Sequence, residues 1–484
     1  MVTEFSYVFL IIFLFGKVFN FFLVQILNFA DYYHRINHGM EIPAEIQGYV
    51  DKLKLEQTCA YEDSKYFLSI FHHIAEIVVS IVVVLNLYSY AHVYSWLWTQ
   101  NAYLTNMLFM VIISVPGGIV DLIFDLIQEF KIEKNYGFSK MTGKMWFFDQ
   151  LKSLLLTLLL AMPLTCAATA LLIHVPKGWW AILALVYIVL SLLISYIFPT
   201  VVAPLFNKFT PLEDGDLKNR LEGLLAKNNF SSKGIYVMDA SKRSGHSNAY
   251  FTGFGKNKRI VLYDTLLKQL TPEEIEAVLA HELGHYVKHH NLLRMAVTLP
   301  LVFLVLFILN LLLWCKALYQ PFHLIPHDGL IEGVLQSHII PAGYEHFFAT
   351  FRFVGITLIF SVFGGFMPLV NLVSNIFSRK NEFEADWYSA VSLNTAKPLC
   401  SALIKLNKEN LSEFTPAKIY CIFNYSHPPL LERIKALKSF VPAKQSAERE
   451  AFYVSEEEMA SSSKKKGLLQ KAKDILFHKD KGHL

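Results

Sequence analysis

The sequence predicts a mainly α-helical, polytopic membrane protein with seven transmembrane helices and a small β-sheet in its polar part. Apolar residues make up 54% of the 484 residues and charged residues only 17%, a balance typical of membrane proteins. Seven stretches are also long and apolar enough to cross a bilayer, which takes about 20 residues. They are residues 5–29, 67–88, 102–124, 153–174, 179–200, 293–314 and 348–376.

Composition excludes several other classes of protein. The net charge of +4 arises from 44 basic and 40 acidic residues, so no nucleic-acid partner is expected. The five cysteines lie far apart and offer neither a disulfide framework nor a CxxC zinc knuckle. The first apolar stretch follows no Lys or Arg and lacks a small-residue cleavage site, so we interpret it as a retained span.

The spans divide the chain into two membrane blocks and two polar parts. We expect five spans in residues 1–205, a polar part in 206–292, two spans in 293–376, a helical polar part in 377–440 and a flexible charged tail in 441–484. Loops 30–66 and 125–152 carry four and five basic residues, whereas loop 89–101 carries none. The positive-inside rule therefore predicts a lumenal N-terminus and places both polar parts in the cytosol.

Ionisable residues interrupt the second and third spans. They are His72, His73, Glu76, Asp121 and Asp125. Such groups avoid lipid and face other helices or water. Two interpretations stay open: interface-level or helix-pairing residues, or the lining of a hydrated interior between the spans.

The first polar part contains strand-like stretches on both sides of "SNAYFTGFG", which is itself strand-like. We expect a small sheet whose edge includes residues 248–252. An exposed edge strand can bind an extended peptide through main-chain hydrogen bonds. An ordinary hairpin is the alternative interpretation.

A capping box with proline at the first helical position, residues 271–274, predicts a helix from 272 through 290. Within it His281 and His285 are four residues apart and share one face, the spacing with which two imidazoles bind one zinc ion. Glu282 is adjacent and is the expected general base. The sequence therefore predicts a zinc site in this helix.

A catalytic zinc site needs a third protein ligand, and the stretch "SRKNEFEADWYSA" after the last span offers carboxylates. Glu382 and Asp386 share a helix face, whereas Glu384 points elsewhere. One of the two can bind the metal while the other orients a ligand histidine. His289 and His290 are interpreted as interfacial residues.

One further stretch, "NYSHPPLLERI", offers groups for the reaction. His427 precedes two prolines, a position typical of a loop. Near a zinc hydrolase it could donate a hydrogen bond to the tetrahedral oxyanion. Arg433 lies on the helix that follows.

These motifs in this order, with "PLFNKFTPL" after the fifth span and seven spans in all, resemble the eukaryotic CAAX prenyl proteases, integral-membrane zinc endopeptidases of peptidase family M48. The resemblance covers about residues 1–440. It implies one zinc ion per chain, held by His281, His285 and Glu382, with Glu282 activating water. It also implies a large hydrated chamber enclosed by the seven helices.

The resemblance assigns further roles, as expectations. Asp386 is the partner of a ligand histidine, Arg433 a supporting group and His427 a transition-state group. Substrate in extended form is expected along Asn248, Ala249, Tyr250 and Phe251.

The implied reaction removes the last three residues after a prenylated cysteine in a C-terminal CaaX sequence, and some members make a second cut upstream. The implied partners are prenylated CaaX proteins and membrane lipids. We expect a monomer in the endoplasmic reticulum membrane, with the inner nuclear membrane as a further location.

Three alternatives compete with this interpretation. A membrane-protein quality-control zinc endopeptidase without a strict prenyl requirement shares the zinc motifs but has fewer spans. A site-2-type protease carries its zinc motif inside a span, whereas His281 precedes one. A receptor or an inactive scaffold needs no complete set of ligands and base.

Overall fold

The computed structural model describes residues 7–230, 232–252, 258–325 and 330–442. The predicted tail beyond residue 442 and the first residues of the first predicted span lie outside the described residues. Within these described residues, seven helical segments are long and apolar enough to cross a membrane. The mainly helical seven-span fold class is therefore confirmed.

Seventeen α-helices are present in the described part of the chain. They are α1 Val8–His38, α2 Lys52–Val82, α3 Tyr88–Thr99, α4 Ala102–Ile127, α5 Gly143–His174, α6 Trp179–Ile197, α7 Asp216–Lys227, α8 Asp264–Gln269, α9 Pro272–Val287, α10 His290–Leu312, α11 Lys316–Tyr319, α12 Leu330–Ser337, α13 Glu345–Gly364, α14 Met367–Leu393, α15 Lys397–Glu409, α16 Lys418–Asn424 and α17 Leu430–Lys438.

Most spanning segments extend beyond their apolar part. The second runs over Lys52–Thr99, 48 residues, or about 70 Å of helix, more than twice the hydrocarbon thickness of about 30 Å. Its polar N-terminal part, with Asp51 as N-cap, therefore continues outside the bilayer and contributes to the polar region. Apolar length alone predicted the span but not this extension.

The prediction of one continuous seventh span at 348–376 is wrong, because the helix is interrupted within this range. Helix α13 ends at Gly364 and α14 begins at Met367. At the break Gly365 lies against α1, so closely that a Cβ atom on it would overlap the backbone of Gly16. Such a close approach depends on a distant residue, which is why hydropathy alone did not predict where the helix ends.

The ionisable residues of the second and third spans lie close together. His72 Nε2 lies 3.1 Å from Asp121 Oδ1 and 3.8 Å from Glu76 Oε1. A cavity of about 390 Å³ is lined by Glu76 and Asp121 together with His73 and Lys17. Polar groups thus line a cavity between spans, as the interpretation of a hydrated interior expects.

The four-stranded sheet consists of β1 Phe209–Pro211, β2 Ile235–Met238, β3 Ala249–Thr252 and β4 Arg259–Tyr263. Its strand order is β1-β2-β4-β3. Strand β3 pairs antiparallel with β4 from Ala249 opposite Leu262 to Thr252 opposite Arg259. The predicted edge position of this strand is confirmed.

Helices α9 and α14 pack directly against each other and bring the two candidate motifs together. A Cβ atom on Gly284 would lie 2.9 Å from Ala385 Cα, so the two helices approach as closely as backbone permits. Ser389 Oγ donates a hydrogen bond of 2.8 Å to the carbonyl of Ala277 and links the same pair. The absence of a side chain at Gly284 therefore allows the site to form.

Candidate metal centre

The predicted capping box starts α9. The Thr271 hydroxyl accepts a hydrogen bond from the backbone N–H of Glu274, and the Glu274 carboxylate accepts one of 2.8 Å from the Thr271 N–H. Lys405 donates to the same carboxylate at 2.9 Å and Ser401 at 2.6 Å. The cap therefore fixes the start of α9 and joins it to α15.

Three donor atoms converge where α9 meets α14. His281 Nε2 lies 3.3 Å from His285 Nε2 and 3.4 Å from Glu382 Oε2, and His285 Nε2 lies 3.2 Å from Glu382 Oε1. The side chains of His281 and Glu382 are 9% and 6% exposed. The structure thus brings the three predicted ligands together.

These spacings fit a zinc ion. Tetrahedral zinc with bonds of about 2.0–2.1 Å separates its ligand atoms by about 3.3–3.4 Å. The Oε2 atom of Glu382 is buried and accepts no hydrogen bond from the described residues. A bound cation would satisfy this oxygen and the two imidazole lone pairs at once, since unpaired buried polar atoms are costly.

The far side of His281 is held by a carboxylate. Its Nδ1 lies 2.8 Å from Asp386 Oδ1, and Arg433 holds Asp386 with two hydrogen bonds, 2.8 Å from Nε and 2.6 Å from Nη2. Burial raises the pKa of Asp386, but Arg433 and His281 outweigh it and hold that pKa below its usual value. An ionised Asp386 keeps the proton of His281 on Nδ1 and leaves Nε2 free for a metal.

Burial and nearby charges shift the pKa values of two groups at the centre, His281 and Glu282. Burial lowers the pKa of His281, but the neighbouring carboxylates of Asp386 and Glu382 outweigh burial and raise that pKa to about 9. The centre therefore attracts a positive charge. Burial raises the pKa of Glu282 above its usual value, against the opposing effect of His281 and His285, as suits a group that accepts a proton near neutral pH.

His427 approaches the centre from the loop between α16 and α17. Its Nε2 lies 3.5 Å from Glu382 Oε1, and its side chain is 64% exposed. Arg379, on α14 one turn before Glu382, donates hydrogen bonds to the carbonyls of Cys421 at 3.1 Å and Tyr425 at 2.6 Å. Arg379 was not predicted from the sequence; it fixes the end of α16 and so the loop that carries His427.

The predicted substrate strand lies beside the same centre. Asn248 is exposed directly before β3, and its side-chain oxygen accepts a hydrogen bond of 2.8 Å from the N–H of Ala249. A cavity of about 530 Å³ is lined by Asn248, His427 and Arg433. Burial raises the pKa of Tyr250 to about 12, so this side chain stays neutral.

Two expectations about the second half of the motif are wrong. The helix ends at Val287 rather than running through 290, because His289 adopts a left-handed conformation with φ of 56°. His290 then begins α10 and is buried, so it is not an interfacial residue. Glu384 lies outside the donor cluster, as expected, but its Oε2 atom lies 3.2 Å from Nε2 of His290.

The fold and the donor cluster define a multi-pass membrane metallopeptidase. A family model for peptidase family M48 matches residues 211–441, and a model for the CAAX prenyl protease N-terminal part, five membrane helices, matches residues 31–208. The CAAX prenyl protease 1 homolog of Arabidopsis thaliana is 34% identical over 420 residues, covering 82% of this chain and 90% of the relative. The Saccharomyces cerevisiae CAAX prenyl protease 1 is 35% identical, covering 69% and 72%.

A solved structure gives the same result. The crystal structure of S. mikatae Ste24p superposes with a TM-score of 0.78 at 28% identity, covering 88% of this chain and 99% of that one. The human CAAX prenyl protease 1 homolog is 31% identical over 375 residues. The chain belongs to the CAAX prenyl protease 1 family of M48 metallopeptidases, as its motifs predicted.

Proposed function

We propose that this protein is a zinc endopeptidase that removes the C-terminal aaX tripeptide from prenylated CaaX proteins. The observation that carries the proposal is the cluster of His281, His285 and Glu382 donor atoms, spaced 3.2–3.4 Å apart close to the start of the sixth membrane span. The names of the curated relatives support the substrate class.

A zinc ion held by these three side chains would polarise water and the scissile carbonyl. Glu282 takes the proton from the attacking water and later delivers it to the leaving amine. His427 donates a hydrogen bond to the oxygen that gains negative charge. Asp386, clamped by Arg433, keeps His281 in the tautomer that binds metal.

The substrate binds in extended form along the edge of β3, where Asn248 to Phe251 lie. Main-chain hydrogen bonds to an edge strand hold a peptide without regard to most of its side chains. A protease that accepts many CaaX sequences needs this kind of binding. Selection among substrates then depends on the lipid and on the length of the C-terminal segment.

The position of the centre suits a lipid-anchored substrate. His285 is five residues before His290, where α10 begins, and the Nδ1 atoms of these two side chains lie 3.0 Å apart. A prenyl group in the bilayer or between the spans thus leaves the adjoining peptide within reach of the centre. The alternation of basic loops supports a cytosolic site, and we propose the endoplasmic reticulum membrane as its location.

All these residues come from one chain, so we propose that a monomer is active. The division into two membrane blocks, two polar parts and a tail remains part of the proposal. A second cut upstream of the CaaX sequence belongs to it as well, and a longer prenylated peptide tests that cut.

The test is release of the tripeptide from a farnesylated CaaX peptide by detergent-purified protein, followed by mass spectrometry. The same peptide without its lipid is the matched control. We expect cleavage only of the farnesylated peptide, abolished by a zinc chelator and restored by added zinc. Equal cleavage of both peptides would overturn the prenyl requirement and favour membrane-protein quality control.

A further inference from the structure

His290, the first residue of the sixth span, contacts the metal centre through His285. The Nδ1 atoms of the two rings lie 3.0 Å apart. On its other side His290 Nε2 lies 3.2 Å from Glu384 Oε2. The side chain of His290 is 3% exposed, so these contacts are made inside the protein.

The direction of the hydrogen bonds follows from the ligand role proposed for His285. Its Nε2 faces Glu382 and His281 and must offer a lone pair to a metal, so its proton lies on Nδ1. That N–H donates to Nδ1 of His290, which must then be unprotonated. The proton of His290 therefore lies on Nε2 and donates to the Glu384 carboxylate.

We propose that His290 and Glu384 are positioning residues that orient His285 for metal binding. The inference rests on the proposed zinc site. His281 is held directly by Asp386 at 2.8 Å, whereas His285 is held by a carboxylate through an intervening imidazole. Ligand histidines generally donate their second N–H to such a partner, and losing it costs about 10–100-fold in metal affinity.

The backbone places His290 at this position. A helix continued through 290 would turn its side chain away, because residues five apart do not share a helix face. His289 instead adopts φ of 56° and separates α9 from α10. This conformation is uncommon for a residue with a side chain. The bend thus joins the sixth span to a ligand of the metal centre.

The experiment measures zinc affinity of detergent-purified full-length variants by chelator competition, with the absorption spectrum of the cobalt-loaded protein as a second readout. His290→Phe fills the space but accepts no hydrogen bond. His290→Asn keeps an acceptor near the position of Nδ1. His289→Asn is the matched control, since His289 is exposed and asparagine tolerates its left-handed conformation.

We expect His290→Phe to weaken zinc binding by about 10–100-fold and to change the cobalt spectrum. His290→Asn should bind within about threefold of wild type, and His289→Asn should match wild type, because the acceptor for His285 is retained in both. Equal affinity of His290→Phe and wild type would overturn the proposal, and so would equal losses in His290→Phe and His290→Asn.

Glu384→Ala provides a variant that folds readily, because this side chain is 41% exposed. We expect its zinc affinity to fall by about tenfold, the lower end of the range for such partners. Wild-type affinity in this variant would remove Glu384 from the proposal. These readouts need no peptide substrate, so their failure is distinct from failure of the proposed peptidase reaction.

Discussion

Replacing Gly284 by alanine should separate the metal ligands. The new Cβ atom would lie 2.9 Å from Ala385 Cα and 3.0 Å from Tyr388 Cβ, whereas carbon atoms pack best at about 3.5–4.0 Å. Helix α14 must therefore move away from α9 by about 0.5–1 Å. Glu382 is on α14 and both histidines are on α9, so the shift acts directly on their 3.2–3.4 Å spacings.

Binding sites tolerate displacements of only about 0.5 Å, so we expect Gly284→Ala to weaken zinc binding at least about tenfold. Overpacking costs about 1–3 kcal/mol, against a gain of about 1 kcal/mol in helix propensity. Gly223→Ala is the matched control, because nothing lies within 4 Å of its added Cβ atom on α7. Chelator competition and thermal unfolding measure both effects. Wild-type zinc affinity in Gly284→Ala, or equal stabilisation of both variants, would refute this account of the helix contact.

Three further predictions concern single side chains. Arg433→Ala leaves the buried Asp386 carboxylate without its guanidinium and should lower the free energy of unfolding by about 3–5 kcal/mol; denaturant titration that shows no loss would contradict this. His427→Ala should lower kcat by about 10²–10³-fold with unchanged zinc content, measured by peptide assay and metal analysis. Burial raises the pKa of Glu274, but hydrogen bonds from Lys405 and Ser401 outweigh it and lower that pKa below 4.5. The ionised carboxylate therefore stabilises the fold above about pH 4.5, and this stabilisation is lost as pH falls through the folded-state pKa. The melting temperature of Glu274→Gln should therefore depend less on pH in that range than the melting temperature of wild type.

Local patterns predicted the elements whose causes are local. The capping box at Thr271 fixed the start of α9, and the four-residue spacings of His281 with His285 and of Glu382 with Asp386 predicted which side chains share a face. The edge position of β3 followed from its pattern and its flanking turns. Each of these features depends on residues that are close to one another in the sequence.

Features that depend on distant packing could not be predicted in this way. The end of α9 before His290 requires the left-handed conformation of His289, which the helical pattern on both sides of this residue does not indicate. The break before α14 reflects the contact of Gly365 with Gly16 on the first span. The roles of Arg379 and His290 could be inferred only from the structure, which places Arg379 beside the loop of His427 and His290 beside the ring of His285.

The most direct test of the central claim is the Glu282→Ala variant, measured for both zinc content and cleavage of a farnesylated CaaX peptide. The account predicts about one zinc ion per chain, because Glu282 is not among the three metal ligands. It also predicts almost complete loss of tripeptide release, because no group remains to accept the proton from water. A variant that binds zinc and cuts the peptide at the wild-type rate would contradict the mechanism.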